Sequence, residues 1–99
     1  GATVADSISV GVPSAGHLAV KNLRDHEGRC VQVSDDAVLE AQRRLASWSG
    51  LFAEPAGAAS LAGLLAAQDE ISADSTVVLL ITGTGLKDID SAERLVEVP

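Results

Sequence analysis

Ninety-nine residues leave room for one small domain, and 46% of them are apolar, chiefly alanine, valine and leucine with one Phe, one Trp, no Tyr and no Met, so any core must be assembled from small pieces. Fourteen acidic against seven basic residues give a net charge of -7, a field that disfavours a nucleic-acid surface or an anionic membrane face. The lone cysteine, Cys30, excludes an internal disulfide framework, and no stretch approaches the roughly 20 apolar residues of a membrane span; the expectation is a soluble, cytoplasmic protein with no nucleic-acid and no membrane partner.

In chain order, Ser7 to Val12 alternate, with Ile8, Val10 and Val12 on one face and Ser7, Ser9 and Gly11 on the other, which predicts a strand exposed on one side and ended by Pro13. Ser14 is placed to cap a helix running to about Glu27, with Leu18, Ala19 and Leu23 on one face and Gly28 as its stop. Residues 29–33 read as a short strand containing Cys30, a core position rather than a reactive one. The clearest helix follows: Ser34 is its cap, Asp35 and Asp36 suit the positive end of the helix dipole, Val38, Ala41, Leu45 and Trp48 recur at helical spacing, and Gly50 ends it.

After Leu51-Phe52-Ala53 comes Glu54-Pro55 and then an alanine-rich helix over residues 56–67, apolar nearly all round and therefore in need of cover on several sides. A polar link over residues 72–75 leads to the apolar run Thr76 to Ile81, of the kind buried on both faces of a parallel sheet. From Ile89 the chain reads as charged, giving a single α/β segment over residues 1–90 and a charged tail over 91–99. Strand, helix, strand, helix, strand, helix, strand predicts an α/β fold: a layered, mostly parallel sheet with helices packed on it.

Two places could carry chemistry. Thr82-Gly83-Thr84-Gly85 follows the last strand, where α/β sheets gather ligand groups, and its glycines could bring backbone close to a ligand. The turn lacks the third glycine and following helix of a dinucleotide fingerprint and the Gly-Lys-Ser/Thr ending of a phosphate loop, so, taken alone, it reads more readily as a plain tight turn after a buried strand than as a ligand site. Glu54 stands between an apolar step and an apolar helix, where an unpaired carboxylate is costly to bury; it reads either as a helix-start acid ahead of Pro55 or as a functional group. His17 and His26 are too far apart to share a helix face and have no accompanying carboxylate cluster, so no metal site is expected, and Ser14 and Ser34 read as caps rather than nucleophiles.

Taken together, "TVADSISVGVP" (Thr3 to Pro13), "HLAVKNL" (His17 to Leu23), "VQVSDDAVLEAQRRLASWSGLFAEPAGAASLAGLL" (Val31 to Leu65) and "VVLLITGTGLKD" (Val77 to Asp88) resemble, in order and spacing, the carboxy-terminal part of the threonine synthase family. These are pyridoxal-phosphate enzymes of the tryptophan-synthase β fold type, so the resemblance implies a partial version of the fold type II large domain. It also implies that Thr82 meets the cofactor's pyridine nitrogen, that Glu54 lies beside the ring, and that Gly83 and Gly85 let the backbone pass close by. The implied parent reaction converts O-phosphohomoserine and water to threonine and phosphate, a lyase of amino-acid biosynthesis.

Two parts of the family's site are missing from this sequence. The lysine that bonds the cofactor aldehyde sits in a Phe-Lys-Asp context, which neither Lys21 nor Lys87 has, and the glycine-rich phosphate loop is absent. The chain is therefore expected to be a carboxy-terminal fragment, inactive alone, with no catalytic residue of its own and no cofactor bound in isolation. Its expected partner is the remainder of the parent enzyme or a second copy meeting it through the apolar helix 56–67. A non-catalytic, self-associating module derived from the same fold is the alternative; a small phosphate- or nucleotide-binding domain would rest on the glycine turn alone.

Overall fold

The computed structural model describes residues 2–94. Among the described residues four helices carry the fold: α1 (Gly16–Asp25), α2 (Asp35–Ser49), α3 (Pro55–Ala67) and the short α4 (Ile89–Glu93), with 3-10 turns at Asp6–Ile8, Gln68–Glu70 and Gly85–Lys87.

Helix α2 forms where its caps and its apolar stripe coincide. The Ser34 hydroxyl accepts from the Ala37 N–H, Asp35 and Asp36 occupy the first turn, and Gly50 closes the helix in the left-handed region at φ 74°. A side chain at Gly50 would strain that conformation, which glycine adopts freely. Val38, Ala41 and Leu45 are buried as their spacing predicts, but Trp48 stays exposed beneath the Arg44 guanidinium, 5.5 Å from its ring centroid. Helix α3 starts with Pro55 in its first turn, where a missing N–H costs nothing, and Ala58 N–H reaches the Glu54 carbonyl at 2.9 Å. It buries Ala58, Leu61 and Ala62 against α2, forming one cluster with Val38, Ala41, Leu45 and Ala53. The cover that an all-round apolar helix requires thus comes first from α2, with Leu79 and Ile81 adding to it.

The layered parallel sheet is not there. Among the described residues no strand forms, and the sole β pairing is an isolated antiparallel bridge between Ala53 and Thr84. Residues 7–12 begin in a 3-10 turn instead of a strand, residues 29–33 and 76–81 have no ladder partner, and Cys30 is exposed rather than in a core. The physical reason is that a period-2 or continuous apolar pattern reports which side chains seek burial, not whether a neighbouring backbone is in place to pair. In 76–81 the burial alternates: Leu79 and Ile81 lie against the helices, while Val78 is 81% and Leu80 74% exposed.

Helix α1 is also shorter than the sequence suggests. It runs from Gly16, preceded by Ala15 with no side-chain cap, so Ser14 does not cap it. At its far end the left-handed residue is Glu27, at φ 56°, and not Gly28. Gly28 serves by closeness: its N–H reaches the Leu23 carbonyl at 2.6 Å, and a Cβ there would press on Leu23. Of the stretch read as a charged tail, Ser91–Glu93 belong to α4, with the Asp88 carboxylate accepting from the Ser91 N–H and hydroxyl; residues 95–99 lie outside the described residues.

Candidate functional site

The Ala53–Thr84 bridge brings the two singled-out segments together. Glu54 N–H donates to the Gly83 carbonyl at 3.0 Å and Gly85 N–H to the Phe52 carbonyl at 2.8 Å, so residues 52–54 and 83–85 run side by side. A further bond holds the pair from behind: Gln42, buried on α2, donates its Nε2–H to the Ala53 carbonyl at 2.7 Å, while its Oε1 has no partner among the described residues. The bridge is therefore pinned to the helical core through the peptide just before Glu54.

The glycines work by absence of a side chain rather than by backbone freedom, since among the described residues Gly50 is the one glycine with positive φ. A Cβ on Gly83 would fall on the Glu54 carboxyl group, and one on Gly85 would enter the Phe52 ring. Gly57, in the first turn of α3, is a third such position: a Cβ there would lie 3.1 Å from both Gly83 N and Gly83 O. Sequence reasoning singled out Gly83 and Gly85 but passed over Gly57, whose signal was diluted among the small residues around it.

Glu54 is 6% exposed. It occupies the N-cap position of α3, yet its side chain makes no cap hydrogen bond. The helix-start placement holds, with Glu54 directly ahead of Pro55 at the first turn of α3, but the carboxylate does not accept from the first-turn N–H groups as a capping side chain would. Its Oε2 instead accepts from the Ser7 hydroxyl at 2.7 Å, across 47 positions of sequence. Ser7 is a residue that sequence reasoning placed only on the polar face of an expected strand.

The two threonines of the turn differ. The Thr84 hydroxyl accepts from Leu86 N–H at 3.4 Å, capping the Gly85–Lys87 turn. Thr82 is exposed and its hydroxyl makes no hydrogen bond among the described residues, so it is available to a ligand. Glu54, Thr82, Gly83 and Gly85 are thereby gathered into one place. The two lysines stand otherwise: Lys21, on α1, pairs with Asp25 at 2.5 Å, and Lys87 is exposed in the turn after Gly85. His26, at the end of α1, sits with Nδ1 3.0 Å from the Asn22 carbonyl, and no group of three metal-ligating side chains exists among the described residues.

A neutral, uncommitted hydroxyl beside a turn cleared of side chains and a buried carboxylate suits the nitrogen end of a flat heteroaromatic ring. The donor set fits the ring portion of pyridoxal phosphate. It offers no basic cluster for the phosphate.

Comparison with known proteins gives the family. A family model described as pyridoxal-phosphate dependent enzyme matches residues 1–83. The threonine synthase of a Synechocystis species is 46% identical over 90 residues, covering 91% of this chain and 24% of the relative. That of Mycobacterium tuberculosis is 44% identical over 92 residues, covering 91% and 26%, and that of Halalkalibacterium halodurans 41% over 98 residues, covering 97% and 28%. The chain spans about a quarter of the length of these curated relatives.

Proposed function

Since the chain belongs to the family of pyridoxal-phosphate dependent enzymes, we propose that it is the part of a threonine-synthase-like enzyme that receives the ring end of the cofactor, in a parent reaction that turns O-phosphohomoserine and water into threonine and phosphate. The observation that carries the reading is the paired backbone of residues 52–54 and 83–85, which sets buried Glu54 against Gly83 with the Thr82 hydroxyl uncommitted beside them.

Bound pyridoxal phosphate supplies an electron sink for chemistry at the α and β carbons of an amino acid. In this reading the Thr82 hydroxyl donates to the ring nitrogen and, being neutral, does not hold a proton there as a carboxylate would. Glu54 flanks the ring, and Gly83 and Gly85 keep the turn free of side chains. Neither lysine sits in a Phe-Lys-Asp context, and no glycine-rich phosphate loop is present in the sequence, so the chain does not turn over by itself. Exposed Val78 and Leu80 are surface on which the rest of such an enzyme packs.

The test places Thr82→Val and Thr82→Ser in the enzyme that contains this chain and follows phosphate release from O-phosphohomoserine. Thr82→Val is expected to lose at least about tenfold in turnover, the scale of one lost polar contact to a reacting group, and Thr82→Ser to retain most of it. Unchanged turnover in Thr82→Val would refute the assignment. Pyridoxal phosphate added to the 99-residue chain is expected to give no stoichiometric visible band that one lysine substitution removes; such a band would overturn the inactivity.

A further inference from the structure

We infer that Ser7 is a positioning residue for Glu54, holding the carboxylate in the slot beside the glycine turn; the inference rests on the proposed role of Glu54 beside the cofactor. A carboxylate that is 6% exposed needs partners for its oxygens. The usual partners at this position, the first-turn N–H groups of α3, are not used. The side-chain donor to Glu54 is the Ser7 hydroxyl, 2.7 Å from Oε2. On its other side the carboxyl group lies against Gly83, at the place a Cβ would otherwise take. Glu54 is thus held between a hydroxyl and a side-chain-free backbone.

Ser7 can do this because its own segment is moored. The Thr3 hydroxyl donates to Asp35 Oδ1 at 2.6 Å in the first turn of α2, and Ala5 N–H donates to Thr3 Oγ1 at 3.2 Å. Ala5 is buried, and its carbonyl accepts from Ile8 N–H at 3.2 Å to close the 3-10 turn that carries Ser7. A run of hydrogen bonds therefore links the start of α2 to the Glu54 carboxylate. Losing the last bond frees the carboxylate to turn toward the first-turn N–H groups of α3, which it does not meet in this arrangement, and away from the ring it flanks.

The experiment uses Ser7→Ala, Ser7→Thr, Glu54→Gln and the Ser7→Ala/Glu54→Gln double variant in the intact, cofactor-loaded enzyme. Readouts are kcat and KM, the visible spectrum of the bound cofactor, and the unfolding midpoint. Ser7→Ala is expected to lower kcat about tenfold with KM within about twofold, as loss of a hydrogen bond to a charged group allows, and to shift the cofactor band. Ser7→Thr restores both, and the double variant is no worse than Glu54→Gln. A silent Ser7→Ala beside a disabled Glu54→Gln overturns the inference alone. So does equal loss in Ser7→Ala and Ser7→Thr with a lowered midpoint, or a Ser7→Ala effect undiminished in the Glu54→Gln background. If Glu54→Gln is itself silent in turnover and spectrum, the cofactor reading of Glu54 falls, and the Ser7 inference with it.

Discussion

Helices α1 and α2 are adjacent in sequence and both amphipathic, yet they fare differently. α2 buries Val38, Leu39, Ala41, Gln42 and Leu45, with α3 packed on it, whereas no residue of α1 is buried. An apolar stripe stabilises a helix only when another surface covers it. The α2–α3 pair has that cover, and α1 does not. The site residues follow the same division: Glu54 is the N-cap of α3, and the bridge to the glycine turn is fastened to α2 through Gln42.

The sharpest way to break this contrast is to remove one leucine from each side. Leu61, 5% exposed on α3, is expected to cost about 2–5 kcal/mol when changed to Ala, through lost burial and the cavity left behind. Leu18, 51% exposed on α1, is expected to cost under about 0.5 kcal/mol on the same change. Denaturant unfolding of the two variants measures both. Equal losses would show that α1 is covered after all.

A smaller effect is expected at Gln42. Gln42→Ala leaves the Ala53 carbonyl without its donor, at about 1–3 kcal/mol for a buried polar group left unpaired. The same variant should loosen the bridge, so amide exchange at Glu54 and Gly85, the two N–H groups that span it, is expected to quicken more than exchange within α1. Unchanged protection at both amides would mean that the bridge stands without its link to α2.

The serines ahead of the two helices sharpen the comparison further, because the sequence treats them alike and the structure does not. Ser34→Ala removes a real cap and is expected to cost about 1 kcal/mol. Ser14→Ala, at a residue that does not cap α1, is expected to stay within about 0.5 kcal/mol of the parent. Matching thermal shifts in the two variants would contradict the assignment of caps.

What was legible in the sequence was local. Ser34, Gly50 and Pro55 announce helix ends because cap chemistry acts over three or four residues, and Val38, Ala41 and Leu45 announce a buried face because one helix sets their spacing. The sheet was not legible: the apolar run ending at Ile81 says that some of its side chains seek burial, and Leu79 and Ile81 find it on helices rather than in a ladder. Glu54, Thr82, Gly83 and Gly85 stood out by composition and by resemblance, but what holds them together did not. Ser7 to Glu54 joins two side chains 47 positions apart, and Gln42 to Ala53 joins a side chain of α2 to a backbone carbonyl outside it; no spacing rule marks either. Trp48 fits the periodicity of α2 yet lies outside the core, with the Arg44 guanidinium over its ring.

The smallest effect concerns charge on the outer side of α2. Glu40 accepts from Arg43 Nε at 2.9 Å and Nη2 at 2.5 Å and from Arg44 Nε at 2.8 Å. Hydrogen bonds from Arg43 first and Arg44 second hold its carboxyl at about 2, below the ordinary 4.5. A depressed carboxylate contributes stability that is fully present above its unfolded value and disappears as pH falls through the folded one. Glu40→Gln is therefore expected to unfold slightly more readily than the parent above pH 4.5, with the gap closing as pH falls from 4.5 to about 2. The group is exposed, so the gap is small, and salt near about 1 M, where screening reaches about 3 Å, should shrink it further. Unfolding midpoints of both proteins across that pH range decide the matter. A gap that widens toward low pH would reverse the sign and remove the Glu40–Arg43–Arg44 cluster from the account of why α2 is the better-supported helix.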